Sequence, residues 1–153
     1  MKNEIKFDFF EPPRGKERPR MCFKNGRTIA YTPKPTRSYE KRLGSFVSKL
    51  MRKKGWKRFE GKIPLKCIIQ AFYPIPSATS KSITEKMQSG EILPACTPDC
   101  DNVLKIILDA LNGVVYEDDK QICNVIFSKN YSLVPKIRVQ IREIKTPKIT
   151  KFI

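Results

Sequence analysis

The spacing of hydrophobic residues predicts two main helices. In the first, over 36–54, apolar residues recur at intervals of three and four, the spacing that lines one helix face; they are Tyr39, Leu43, Phe46, Val47, Leu50 and Met51. Thr36 is a candidate cap at its start, and Gly55 is a stop at its end. The second helix, over 101–111, is apolar around well over half of its circumference. We therefore expect it to be buried in the core or in a subunit interface.

Alternating polar and apolar residues, or short apolar runs between turn residues, predict strands. The predicted strands are 5–10, 65–73, 121–128 and 136–144. The last two are expected to pair with each other. A hairpin is predicted over 21–31, because Asn25-Gly26 tolerates the positive φ angles of a type I′ turn.

Three segments are predicted to lack regular structure. Residues 12–20, PPRGKERPR, contain too much proline for a central strand. Residues 74–98 form a long polar loop with one helical turn near 84–87, and a loop of that length is usually functional or disordered. Residues 145–153 are expected to be a flexible basic tail.

Length and pattern together indicate the fold class. The chain has 153 residues, of which 40% are hydrophobic, enough for a core of its own. It shows no internal repeat. We predict one α+β domain over 1–153, a small mixed α/β domain with a mostly antiparallel sheet packed against the two main helices.

The net charge is strongly basic, with 31 Lys and Arg against 15 Asp and Glu and a formal charge of +16. A small domain needs a net charge of only about 2–8 for solubility. The excess indicates a polyanionic partner, and we expect nucleic acid. The basic residues are not sorted onto one face of an amphipathic helix, which disfavours a membrane surface. Candidate backbone contacts are Arg14, Lys16, Arg18, Arg20, Lys34 and Arg37. For Lys34 and Arg37, at a helix start, simple solvation is an equally good interpretation.

Several classes of protein are disfavoured. No apolar run approaches the roughly 18–20 residues of a membrane span. The N-terminal sequence has no signal-peptide core, so the expected compartment is the cytoplasm. The five cysteines are scattered and are expected to be reduced thiols. The chain has no histidine, which excludes Ser-His-Asp and Cys-His catalysis. Any catalysis must therefore use carboxylates, lysine and a metal ion.

Acidic residues are concentrated in one window. Five of the six aspartates lie in TPDCDNVLKIILDALNGVVYEDD, residues 97–119. On the predicted helix, the only polar stripe runs through Asp101, Lys105 and Asp109. An extended piece over 114–116 is expected to return the following acids, Glu117, Asp118 and Asp119, to the start of that helix.

Such a convergence is costly without a cation. Two carboxylates about 4–5 Å apart repel by roughly 3–4 kcal/mol at an effective dielectric near 20. A cluster therefore holds a proton or a cation. Mg²⁺ and Mn²⁺ take oxygen ligands, and such an ion activates water and neutralises charge at phosphorus. The pattern predicts a basic surface that binds a polyanion. It also predicts an acidic pocket that holds the metal ion needed to cut that polyanion.

Simpler roles exist for each of these residues. Asp99 or Asp101 is a good helix cap. Asp118-Asp119 is typical of a solvated turn. Lys105 is spaced to pair with Asp101 or Asp109 along the helix.

The segment PDCDNVLKIILDALNGVVYEDDKQI, residues 98–122, resembles the signature of RusA-type Holliday-junction resolvases. That signature is D-x-D-N, then an apolar residue, any residue and Lys, then D-A-L, then a D-D pair before a Gln. The upstream pieces RPR, YTP and SYE resemble the phage-borne branch of the family. The resemblance implies a homodimer that cuts four-way DNA junctions symmetrically with Mg²⁺ or Mn²⁺. It makes Asp99, Asp101 and Asp119 the catalytic carboxylates that ligate the ion and Lys105 the motif lysine; the roles of Asp109 and Asp118 stay open.

The predicted function is therefore metal-dependent, structure-selective DNA cleavage. A two-fold dimer presents two identical pockets to a nearly two-fold junction, so that paired cuts follow from symmetry. Helix 101–111 is a candidate for part of the dimer interface. Two alternatives stay open: a nucleic-acid-binding module without catalysis, whose acidic window docks a protein, and a nuclease for flaps and other branched DNA.

Overall fold

A four-stranded sheet with helices packed on one face forms the body of the protein in the computed structural model, which describes residues 4–145. The elements in chain order are β1 (Glu4–Phe9), β2 (Arg20–Lys24), β3 (Arg27–Tyr31), α1 (Lys34–Lys54), β4 (Leu65–Pro74), α2 (Lys81–Ser89), α3 (Cys100–Leu111), β5 (Ile122–Ser132) and β6 (Lys136–Glu143). A short 3₁₀ turn, Asp119–Gln121, precedes β5. The predicted α+β class is confirmed.

The order of strands in the main sheet is β1-β6-β4-β5. β6 runs antiparallel to both β1 and β4, whereas β5 runs parallel to β4 at the edge. The predicted pairing of β5 with β6 is wrong, because β4 lies between them. The two strands share an alternating pattern, but neighbours in sequence are neighbours in a sheet only about two-thirds of the time.

The core lies between the inner face of the sheet and the helices α1 and α3. In β6, Ile137, Val139 and Ile141 are buried, as their alternation predicted. The predicted stripe of α1 is buried at Tyr39, Leu43, Val47 and Met51, whereas Phe46 is exposed. The two helices approach closely at Gly44, where a Cβ would lie 3.0 Å from the carbonyl oxygen of Ala110.

The apolar side of α3 is buried in this core. Its buried residues are Val103, Ile106, Ile107, Ala110 and Leu111. Burial within the chain's own core accounts for the apolar pattern, and these residues are not available for the dimer interface that the sequence suggested.

Helix α1 begins two residues earlier than predicted. Pro33 stands at its N-cap position, and Pro35 lies in the first turn, where a missing N–H costs nothing. The predicted capping role of Thr36 is wrong: Thr36 is fully buried inside the helix, and its Oγ1 accepts a hydrogen bond from the Glu17 N–H at 3.3 Å. The helix ends at Gly55 in the left-handed conformation, as predicted.

The hairpin prediction is confirmed. β2 and β3 pair antiparallel around Asn25 and Gly26, whose φ angles are 53° and 74°. Residues 12–19, which precede the hairpin, have neither helix nor strand, as predicted.

The segment 74–98 contains more structure than predicted. Helix α2 has nine residues. Ser80 caps its start by accepting a hydrogen bond from the Ile83 N–H, and Gly90 caps its end. None of its residues is buried, so it has no apolar stripe that would reveal its length. Of the piece 114–116, the first two residues form a turn rather than an extended segment, and Tyr116 forms an isolated β-bridge with Phe59. Residues 146–153 of the predicted tail lie outside the described residues.

The helices described in residues 4–145 are all too short or too polar to cross a membrane.

The sheet face opposite the helices carries an ion-pair cluster at Asp8. The Asp8 carboxylate accepts hydrogen bonds from Arg138 Nε at 2.8 Å and Nη2 at 2.9 Å, and from Lys136 Nζ at 3.0 Å. The bond from Arg138 is the main cause that lowers the pKa of Asp8 to about 2; burial opposes it and Lys136 adds to it. The cluster ties β1 to β6.

Asp8→Asn is expected to lower the free energy of unfolding at pH 7 by about 1–2 kcal/mol, since a partly exposed pair is screened by solvent. The folded pKa lies below the ordinary 3.8. The stabilisation is therefore complete above about pH 4 and is lost as the pH falls toward 2. Urea unfolding at several pH values measures it.

Glu60→Gln, which removes the exposed ion pair with Arg58, is the control and should change the free energy of unfolding by less than about 0.5 kcal/mol. A wild-type advantage over Asp8→Asn that is as large at pH 2 as at pH 7 would contradict the assignment.

Candidate active site

The start of α3 presents two carboxylates. Asp99 occupies the N-cap position, but its side chain makes no capping hydrogen bond, and Asp101 lies in the first turn. Both residues are exposed, and within residues 4–145 neither carboxylate forms a hydrogen bond or an ion pair. The positive end of the helix dipole favours negative charge here. Four acceptor oxygens are thus available to a ligand.

The turn after α3 is held by Asp118 and Gln121. The Asp118 Oδ1 accepts from the Lys120 N–H at 3.0 Å, which is the main cause that lowers the pKa of Asp118. The buried Gln121 accepts from the Glu117 and Asp118 N–H groups and donates to the carbonyl of Ile63. Asp118 and Gln121 therefore hold the turn in place. The sequence shows Gln121 only as a position of the motif, so its role in positioning the turn was not predicted.

The turn brings Asp119 toward α3. Its Oδ2 lies 3.9 Å from the Nζ of Lys105. That ammonium also donates to Asp109 Oδ1 at 2.9 Å, one helical turn further along. Of the two simpler pairings open to Lys105, with Asp101 or with Asp109, the structure contains the one with Asp109.

A second lysine, Lys16, completes this chain of alternating charges. Its Nζ contacts the other oxygen of Asp109 and donates to Glu40 Oε1 at 2.8 Å. Burial lowers the pKa of Lys16, but its bonds to Asp109 and Glu40 outweigh burial and raise it overall. Likewise, burial raises the pKa of Asp109, but its bonds to Lys16 and Lys105 outweigh burial and lower it overall. Both groups are therefore charged near neutral pH.

The loop 12–20 lies against the start of α3. A Cβ at Gly15 would come within 2.9 Å of the Pro98 Cβ and 3.3 Å of the Asn102 Cβ, so the loop approaches as closely as glycine allows. The Lys16 N–H donates to the Asn102 carbonyl at 2.9 Å. On the other side, the Tyr73 hydroxyl donates to the Pro98 carbonyl at 2.7 Å. The loop, the start of α3 and β4 are thus held together next to the two unpartnered carboxylates.

The predicted backbone contacts differ in how free they are. Arg18, Lys34 and Arg37 are exposed, and within residues 4–145 they form no ion pair. Arg14 and Arg20 both contact Glu17, at 3.0 and 3.6 Å. Lys16 is partly buried between its two carboxylates.

The predicted convergence of three carboxylates is incomplete. Within residues 4–145, no three Asp, Glu, Cys or His side chains lie close enough together to form a metal-binding group. Asp99 and Asp101 share the helix start, whereas Asp119 approaches Lys105, which offsets its charge. A magnesium ion is usually bound by only one or two carboxylates, with phosphate oxygens and water. The free oxygens of Asp99 and Asp101 fit that donor chemistry.

Comparison with known proteins agrees with the resemblance in the motif. The sequence matches the family described as Endodeoxyribonuclease RusA over residues 11–142, which include the loop 12–20, both core helices and the acidic window. It is also 31% identical over 144 residues to the uncharacterized protein YqaN of Bacillus subtilis (strain 168), an alignment that covers 92% of this chain and 96% of YqaN. The chain therefore belongs to the RusA endodeoxyribonuclease family, enzymes that resolve Holliday junctions by hydrolysing phosphodiester bonds in DNA.

Proposed function

We propose that the protein cuts four-way DNA junctions at the start of α3, in a reaction that requires Mg²⁺. The observation that carries the proposal is the pair of unpartnered carboxylates, Asp99 and Asp101, at a helix start on a protein of charge +16. Such a protein attracts DNA, yet it leaves four acidic oxygens free where the backbone must approach. A divalent cation reconciles the two.

The metal would be held by Asp99 and Asp101 at the helix start, and the resemblance in the motif adds Asp119, which lies beside Lys105 in this structure, as the third ligand. When bound, Mg²⁺ activates water and neutralises the charge that develops at phosphorus. Mn²⁺ has the same preference for oxygen ligands and is expected to substitute.

Lys105 is the proposed phosphate-binding residue. Its bond to Asp109 fixes the ammonium on the polar stripe of α3, and the 3.9 Å distance to Asp119 places it beside the third carboxylate. From there it would orient the scissile phosphate or stabilise its negative charge. Asp109 would then be a positioning residue for Lys105.

Arg14, Arg18, Arg20, Lys34 and Arg37 are the proposed contacts to the DNA backbone. They lie on the loop 12–20 and the first turn of α1, and the loop packs against the start of α3. Lys16 differs from them, because its charge is already matched by Asp109 and Glu40. We propose that Lys16 fastens the loop to both helices.

A homodimer is the proposed active form. A four-way junction is nearly two-fold symmetric, and two copies related by a two-fold axis place identical sites on the two strands to be cut.

Asp101→Asn is expected to lower cleavage of a four-way junction in Mg²⁺ by more than about 100-fold, the upper end for groups around a metal site. Binding in EDTA should be unchanged or tighter, because one negative charge is removed near the DNA. Gel assays of binding and cleavage on junction, flap and duplex substrates measure both.

Glu91→Gln, on an exposed residue that precedes the acidic window and pairs with Lys86, is the control and should cut normally. Wild-type cutting in EDTA, or undiminished cutting by Asp101→Asn, would contradict the site. Binding without any cutting would favour the non-catalytic module, and faster cutting of flaps would favour the broader nuclease.

Arg18→Ala is expected to reduce the salt dependence of junction binding. A lost phosphate contact lowers the slope of log K against log salt concentration by about 0.9. Lys6→Ala, an exposed lysine on the sheet strand β1, should not change it. Fluorescence anisotropy measures the binding at salt concentrations between roughly 50 and 200 mM, the range over which such slopes are resolved.

Lys16→Met should leave that slope unchanged, because the lysine charge is matched within the protein. It should lower the cleavage rate, because the loop loses its link to Asp109. A slope reduced as much as in Arg18→Ala would make Lys16 a direct phosphate contact instead.

Light scattering on the purified protein is expected to give twice the 17.7 kDa of one chain. On a plasmid with an extruded cruciform, wild type should give linear product by paired cuts. Mixed dimers of wild type and Asp101→Asn should give nicked circles, because one site is inactive. A 17.7 kDa species that yields linear product would refute the dimer.

A further inference from the structure

The β2–β3 hairpin is an exposed ribbon with large apolar side chains. Every residue of both strands is exposed. Phe23 is 76% and Met21 68% exposed, more than any other large apolar residue of the described part of the chain. Exposed apolar patches on soluble proteins mark interaction sites.

The two faces of the hairpin have different chemistry. Met21 is opposite Ala30 and Phe23 is opposite Thr28, so these four uncharged side chains share one face. The other face carries the basic residues Arg20, Lys24 and Arg27, together with Cys22, Ile29 and Tyr31. The ribbon thus has one uncharged face and one that mixes three basic residues with apolar and aromatic ones.

The charge around the hairpin selects its partner. Residues 18–37 contain six basic residues and no acidic one. A second copy would bring the same positive charges against these, and like charges facing each other oppose association. A polyanion that also offers apolar surface satisfies both faces, and single-stranded or unstacked nucleic acid has that character.

The hairpin is attached directly to the candidate active site. β2 follows the loop 12–20, which packs on Pro98 and Asn102 at the start of α3. β3 is followed after two residues by α1, whose Glu40 binds Lys16 of the same loop. The two-residue turn at Asn25-Gly26 keeps the strands paired to the tip. Both ends of the ribbon are therefore anchored beside the proposed site of cleavage.

We propose that the hairpin packs Phe23 against bases at the branch point, while Lys24 and Arg27 contact the adjacent phosphates. The proposal deepens the proposed function and rests on it. In a branched substrate the base stack is interrupted or is opened at lower cost than in a duplex, so an aromatic side chain finds a base face there. The hairpin would thereby favour branched DNA over duplex.

A four-way junction with 2-aminopurine at the branch point tests this. In EDTA, where no cutting occurs, wild-type binding should change the fluorescence of a branch-point probe but not of a probe within an arm. Phe23→Ala should lose most of that change and bind the junction roughly 5- to 150-fold more weakly, the range for one lost aromatic stack. Its affinity for duplex should stay the same.

Two control variants accompany it. Phe23→Trp should retain both the signal and the affinity, because it keeps an aromatic ring. Leu133→Ala removes a side chain of similar exposure, 65%, in the turn between β5 and β6 and should behave as wild type.

Three results would overturn the proposal: wild-type signal and affinity in Phe23→Ala, an equal loss of affinity for duplex, or conversion of a dimer to a monomer. The last would make a second copy the partner of the ribbon. Cleavage in Mg²⁺ separates this inference from the proposed function. Normal cutting with no effect of Phe23 refutes the hairpin alone, whereas a Phe23-dependent signal without metal-dependent cutting refutes the resolvase mechanism alone.

Discussion

The ammonium group of Lys16 is the contact that brings the candidate site together. It binds Asp109 on α3 and Glu40 on α1 while its own backbone is hydrogen-bonded to Asn102. Three segments that are distant in sequence meet at this one charge. Without it, the partly buried carboxylate of Glu40 would lose its partner and face Asp109, which would keep only its bond to Lys105, and such a loss destabilises a fold. Lys105 continues the same alternation toward Asp119. These two lysines thereby allow Asp109 and Asp119 to lie close together on this side of α3.

The partners of the aspartates separate structural roles from chemical ones. Asp8 is bound by Arg138 and Lys136, Asp109 by two lysines, and Asp118 by the backbone of the turn that it caps. Each of these carboxylates has its charge satisfied by the fold. The carboxylates of Asp99 and Asp101 have no such partner within residues 4–145, although the protein has basic residues in excess. Carboxylates left without a partner in such a chain fit the metal-binding role proposed for them, and this difference from the paired aspartates is visible only in three dimensions.

Local patterns predicted the parts of the fold that local physics determines. The stripe of α1, the apolar surface of α3 and the Asn25-Gly26 turn all depend on residues close in sequence. The order of the strands does not, because β4 pairs with a strand some sixty residues later. Helix α2 was underestimated because it buries nothing. In the site, the motif singles out Asp99, Asp101 and Asp119 as candidates. Lys16 was indistinguishable in sequence from the arginines around it, because its contact with Asp109 spans 93 residues.

The glycine at position 15 and the unpacked ribbon beside it have opposite consequences for how such proteins diversify. Any side chain at Gly15 would collide with Pro98, so the loop and the helix start can change only in concert. No residue of the ribbon's two strands is buried or belongs to the core, so we expect its side chains to vary at little cost to folding. Natural variation in substrate preference can therefore accumulate at the ribbon while the acidic centre is inherited intact.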